Sequence, residues 1–135
     1  MITILAFIIV LGILIFFHEL GHFLLAKANK VGVLKFSLGF GPALLKKRFG
    51  ETEYRLSALP LGGYVKMLGE EQDDKEEDIT HIDPAKSFSA KPLKVKAAIV
   101  AAGPIANLVL AVLIYTIIAW VGIPTLSSKI GTIQE

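Results

Sequence analysis

The sequence predicts a membrane α+β fold: two apolar helices cross the bilayer and flank a β-rich segment on its cytoplasmic side. Three observations predict it. Residues 2–17 and 97–121 carry no charge, and 53% of all 135 residues are hydrophobic, concentrated in those two blocks. The segment between them changes to β-branched and aromatic residues broken by glycine and proline. Thirteen of the fourteen Lys and Arg residues fall between Lys27 and Lys96. The positive-inside rule then puts the middle segment in the cytoplasm and both ends outside.

The first apolar block continues past 18–22 through Phe23, Leu24, Leu25 and Ala26. From Ile2 to Ala26 a helix is about 37 Å long, enough to span with some tilt. It has no basic n-region and carries His18 and Glu19, which argues against a signal peptide. Gly12 and Gly21 leave room for a neighbouring helix or are ordinary membrane-helix glycines. Lys27 to Lys30 mark a basic membrane edge.

Over 33–68 the pattern predicts short strands joined by turns, punctuated by Gly39, Gly41, Pro42, Gly50, Pro60, Gly62 and Gly63. Phe49-Gly50-Glu51 is the expected hairpin tip. Such strands are too few for a closed barrel, and an open edge in lipid is costly. Any part at membrane depth must therefore line a cavity or meet a partner strand, and an open edge can receive an extended peptide.

Glu70 to Asp78 holds seven acids in nine positions, a run that reads as a solvated loop. His81 and Asp83 follow in the same loop and read as incidental. Residues 85–96 look basic and amphipathic, suited to a membrane surface. In the second span, Gly103-Pro104 predicts a kink, because proline removes a backbone donor and crowds the carbonyl of Val100. Asn107 lies eleven residues past Lys96, roughly 16 Å deep, and His18 lies roughly 13 Å deep from the same side. The two spans can thus bring Asn107 and His18 into one cleft; the alternative is an amide that satisfies the freed carbonyl or bridges helices.

The expected organisation is a first transmembrane helix over 1–28, a β-element over 29–69, an acidic loop and surface segment over 70–94, and a second transmembrane helix over 95–122. Residues 123–135 look like the opening of a further unit that is cut short. A net charge of +2 gives no argument for nucleic acid. With no cysteine there is neither a disulfide framework nor a thiolate site, so a metal must use His, Asp or Glu.

The chemistry lies in His18-Glu19-Leu20-Gly21-His22, an H-E-x-x-H run. Two histidines four apart share a helix face and can both reach one metal ion, with Glu19 beside it as general base. Three ionisable groups inside an uncharged span are costly unless used. His18 and His22 supply two ligands; a catalytic zinc ordinarily has three protein ligands plus water. Two rival readings use the same cluster without proteolysis: a non-catalytic membrane scaffold, and a transporter or channel fragment in which His18, Glu19 and His22 line an ion path.

HELGH in the first span, FSLGFGP at 36–42, LPLGGYVKM at 59–67 and AAGPIANL at 101–108 together resemble the site-2 protease family of intramembrane zinc metalloproteases, and within it a bacterial branch. The resemblance covers essentially the whole chain. It implies Zn2+ as cofactor and the cleavage of single-span membrane proteins, such as anti-sigma factors already trimmed outside or remnant signal peptides. It implies a bacterial inner membrane, with the N-terminus and the C-terminal end on the periplasmic side and 29–94 on the cytoplasmic side. It makes 33–68 a membrane-reentrant β-element that helps hold substrate; on physical grounds an extended substrate would add to a β-edge at the 53–58 strand, where Tyr54 and Leu56 are the expected contacts. Asn107, in the matching GPxxN with Gly103 and Pro104, would face the active site and contact substrate. The third zinc ligand would be an aspartate in an L-D-G motif, which does not occur here, so it is expected beyond residue 135. The chain would end at the start of a periplasmic PDZ-like domain, and alone would bind zinc weakly and be inactive.

Overall fold

The structure, a computed structural model, describes residues 2–70 and 83–122. The acidic run after Glu70, His81 and the PDZ-like start expected at 123–135 lie outside the described residues. Four elements follow one another: helix α1 (Ile2–Ala28), strands β1 (Val33–Phe49) and β2 (Thr52–Met67), and helix α2 (Leu93–Val121), with a short 3-10 turn at Pro84–Lys86 before α2. Both helices are long and apolar enough to cross a membrane. Two apolar helices and an antiparallel sheet make this an α+β membrane fold.

The helices meet through small residues. A Cβ on Gly21 would collide with the carbonyl oxygen of Ala102 and stand 2.8 Å from the Cβ of Ala106. Between lipid-facing helices there is no hydrophobic gain to drive association, so close backbone approach and dispersion carry the contact. Gly21 therefore serves helix packing, whereas a Cβ on Gly12 would meet nothing within 4 Å among the described residues.

α1 stops where Lys30 turns into the left-handed region at φ 55°. The amide of Val31 then reaches back to the carbonyl of Ala26 at 2.9 Å, a Schellman-type closure. Asn29 Nδ2 donates to the Leu25 carbonyl at 2.8 Å, satisfying another terminal acceptor. The chain leaves directly into β1, and Ala26, Val31, Val33, Met67 and Ile99 close into a small buried core at the base of helices and sheet.

The sheet departs from the expected set of short strands. It has two strands of 17 and 16 residues, paired antiparallel and joined at Gly50-Glu51 as expected for the tip. The glycines and prolines inside them bend the strands instead of ending them; Gly39 and Gly62 sit at φ +87° and +144°. The bends let each strand serve twice. Residues 35–38 pair with 63–66 on one side and with 53–56 on the other, where the partner numbers ascend together. Residues 45–49 pair in turn with 52–56. Glu53–Leu56 is thus an inner lane, flanked on both sides, and offers no open edge for strand addition. That corrects the expectation placed on the 53–58 strand.

Two contacts tie the sheet to α1. Phe36 packs edge-on to Phe16 and Phe23, with Tyr54 against Phe23 and Phe36, ring centroids 5.3 to 6.5 Å apart. At the tip, Glu51 pairs with Lys27 at 2.6 Å and with Lys86 at 3.0 Å, clasping sheet, helix end and 3-10 turn. The hydrogen bond from Lys27, with Lys86 adding to it, holds the Glu51 carboxyl below its usual range. Residues 85–96 divide between this turn and α2, which begins at Leu93.

Candidate metal centre

His18 and His22 lie one turn apart on the face of α1 that meets α2, with ring centroids 4.8 Å apart. Their Nε2 atoms converge on one place. A Cβ on Gly103 would stand 2.7 Å from Nε2 of His18 and collide with Nε2 of His22. Glycine is the residue that leaves this space open between the imidazoles and the α2 backbone. That explains Gly103 by what it makes room for.

The other ring nitrogens point to α2. His22 Nδ1 lies 2.8 Å from the carbonyl oxygen of Ile99. A carbonyl only accepts, so Nδ1 carries the hydrogen and Nε2 keeps its lone pair. This is the arrangement by which metal-bound histidines are oriented. His18 Nδ1 faces Nδ2 of Asn107 at 3.4 Å, so the depths computed for these two residues along separate helices bring them together as expected.

Two cavities flank Glu19. One, of about 310 Å³, is lined by Leu11, Leu14, Ile15, His18, Glu19, Gly62, Gly63 and Asn107. The other, of about 120 Å³, lies toward the base and includes Glu19, His22, Met67, Glu70 and Phe88. β2 passes close to the carboxylate: a Cβ on Gly63 would lie 2.9 Å from Cγ of Glu19 and 2.8 Å from the Ser37 carbonyl. Glu19 is thus reachable from both sides.

The two imidazoles fit a zinc ion by this test: converging Nε2 atoms, a space that a methyl group would fill, and one Nδ1 tied to a carbonyl. Among the described residues no third His, Cys, Asp or Glu joins them. Asn107 lines the larger of these two cavities together with His18 and Glu19. Tyr54 and Leu56 stand apart, lining a separate apolar hollow of about 430 Å³ on the sheet with Phe36, Leu38 and Leu45. Pro104 lies within α2 one residue after the space at Gly103. Two participants were not read from the sequence. Any residue has a carbonyl, so nothing marks Ile99; Gly63 had a signal in its Gly-Gly pair, which reads equally well as a turn.

The comparisons agree with this geometry. Residues 6–134 match the model of peptidase family M50. A protein described as a zinc metalloprotease from Ralstonia nicotianae is 48% identical over 128 residues, 90% of this chain and 28% of that protein. Protease RseP of Yersinia pestis is 44% identical over 130 residues, 96% of this chain and 28% of its own length. The regulator of sigma-E protease RseP of Salmonella typhimurium is also 44% identical over 130 residues, 95% of this chain and 28% of that protein. The chain spans little more than a quarter of the length of these relatives. The resemblance read from its four motifs holds over nearly all of it: the chain belongs to peptidase family M50.

Proposed function

We propose that the chain carries the zinc-binding and proton-transfer part of a membrane metalloendopeptidase that cleaves single-span membrane proteins. The observation that carries the reading is the convergence of His18 and His22 Nε2 on the space at Gly103, with Glu19 beside it. Zinc, when bound, polarises a peptide carbonyl and acidifies water. His18 and His22 would hold it, with a third ligand from beyond the described residues. Glu19 takes a proton from the attacking water and returns it to the leaving amine. Its access to two cavities allows peptide on one side and water on the other.

A membrane helix conceals its carbonyls, and unwinding it in lipid leaves amides without partners. Among the described residues no strand pairs with the far side of Gly63–Val65, whose inner side pairs with 36–38. Gly62 and Gly63 line the cavity that holds His18, Glu19 and Asn107. An extended substrate segment added along this edge has backbone partners and passes the carboxylate. This reading keeps strand addition and moves it from 53–58 to the neighbouring lane. The β-element then lies at membrane depth, entering from the cytoplasmic side, with both helices spanning an inner membrane. Anti-sigma factors and remnant signal peptides are the substrate class; the relatives whose names refer to sigma-E support the first.

The test is Glu19→Gln in the full-length protein, assayed in detergent on a single-span substrate. Zinc content should remain stoichiometric and cleavage should fall by about 10²-fold or more. Cleavage at the wild-type rate would end the proposal.

A further inference from the structure

Asn107 carries an unfinished hydrogen-bond account. Its Nδ2 faces His18 Nδ1 at 3.4 Å, and its Oδ1 is buried with no partner among the described residues. In that orientation His18 Nδ1 must accept, so the ring hydrogen sits on Nε2, the atom that converges with Nε2 of His22 on the space at Gly103. The two imidazoles would then be opposite tautomers, one with its lone pair toward the common point and one with a hydrogen there. Half a turn about the last side-chain bond of Asn107 exchanges oxygen and nitrogen with no other movement. The oxygen then accepts from Nδ1–H of His18, and the buried acceptor has its partner. Both Nε2 lone pairs face the same space. The amide NH2 then takes the buried position that Oδ1 held.

We infer that Asn107 is a positioning residue for His18: its side-chain oxygen accepts from Nδ1–H and fixes the tautomer whose Nε2 can bind zinc. The role matches that of the Ile99 carbonyl toward His22. The inference rests on the zinc reading proposed above. The two histidines are thus oriented from one helix, α2, by a backbone oxygen at 99 and a side-chain oxygen at 107. Partners of this kind ordinarily change metal affinity by about 10- to 100-fold when removed.

The experiment uses the full-length protein in detergent and three variants: Asn107→Leu, Asn107→Asp and His18→Ala. Zinc affinity is measured by chelator competition, and the His18 tautomer by nitrogen-15 NMR of the zinc-free protein with labelled histidine. Asn107→Leu keeps the branched heavy-atom skeleton and loses the acceptor. It should move the His18 hydrogen from Nδ1 to Nε2 and weaken zinc by about 10-fold or more. Asn107→Asp keeps an acceptor and loses the donor; it should retain the Nδ1–H tautomer and bind zinc at least as tightly as the wild type. An Asn107→Leu protein with wild-type tautomer and affinity, changed only in KM, would make Asn107 a substrate contact and overturn the inference. So would an Asn107→Asp protein that binds as weakly as His18→Ala. If His18→Ala itself holds zinc like the wild type, the zinc reading falls, and this inference with it.

Discussion

α1 has two seams, and they are built differently. Against α2 the contact is backbone-close, made by Gly21, Ala102, Gly103 and Ala106, and it leaves no slack around the imidazoles. Against the sheet it is made by rings, Phe16 and Phe23 with Phe36 and Tyr54, and tightens to backbone distance only where Gly63 passes Glu19. The first seam orients the atoms that would hold a metal. The second brings a strand edge to Glu19, the group that would move the proton. Binding and turnover should therefore fail separately, according to which seam is disturbed.

The most damaging change should be Gly103→Ala. Its methyl collides with Nε2 of His22 and crowds that of His18, so zinc affinity should drop by about 10²-fold, with cleavage lost in parallel. Metal analysis after dialysis checks it; zinc retained at full occupancy would show that the seam has slack. Next, Gly63→Val should depress kcat by about 10-fold or more while zinc stays bound, because the added side chain meets Glu19 and the Ser37 carbonyl. Loss of zinc in that variant would show that the two seams are coupled. Tyr54→Ala should cost about 2 kcal/mol, read as a lower Tm in detergent, since it removes a ring that contacts Phe23, Phe36 and Phe49.

The smallest effect belongs to the clasp at Glu51. Its carboxyl is held below its ordinary value by Lys27 and Lys86, so the ion pairs stabilise the fold fully above the unfolded carboxylate pKa of about 4.3. That contribution is lost as pH falls through the lower folded value. With Lys86 at 43% side-chain exposure, the pairs are worth at most about 1 kcal/mol. The Tm difference between wild type and Glu51→Gln should be small at neutral pH and vanish in acid; a difference that grows in acid would contradict the clasp.

Much of the site was legible in the residues. The four-residue spacing put both imidazoles on one helix face. Counting rise from the basic borders placed Asn107 at the depth of His18, and they meet at 3.4 Å. The sheet was less so. Glycine and proline interrupt a strand whether the chain then turns away or bends and continues, so 33–68 read as several short strands where there are two long ones. An outer lane and an inner lane have the same alternation, and for that reason Glu53–Leu56 gave no sign of being flanked on both sides.

What the sequence determined by itself was whatever depends on local spacing and solubility: two helices too apolar for water, a basic stretch between them, and three ionisable groups too costly to bury without use. Only the tertiary structure decided which atoms face one another. The space at Gly103, the Ile99 carbonyl behind His22 and the passage of Gly63 beside Glu19 are contacts between segments far apart in the chain. Each is made by a backbone or by a missing side chain, and neither carries a chemical label that can be read along one strand of text.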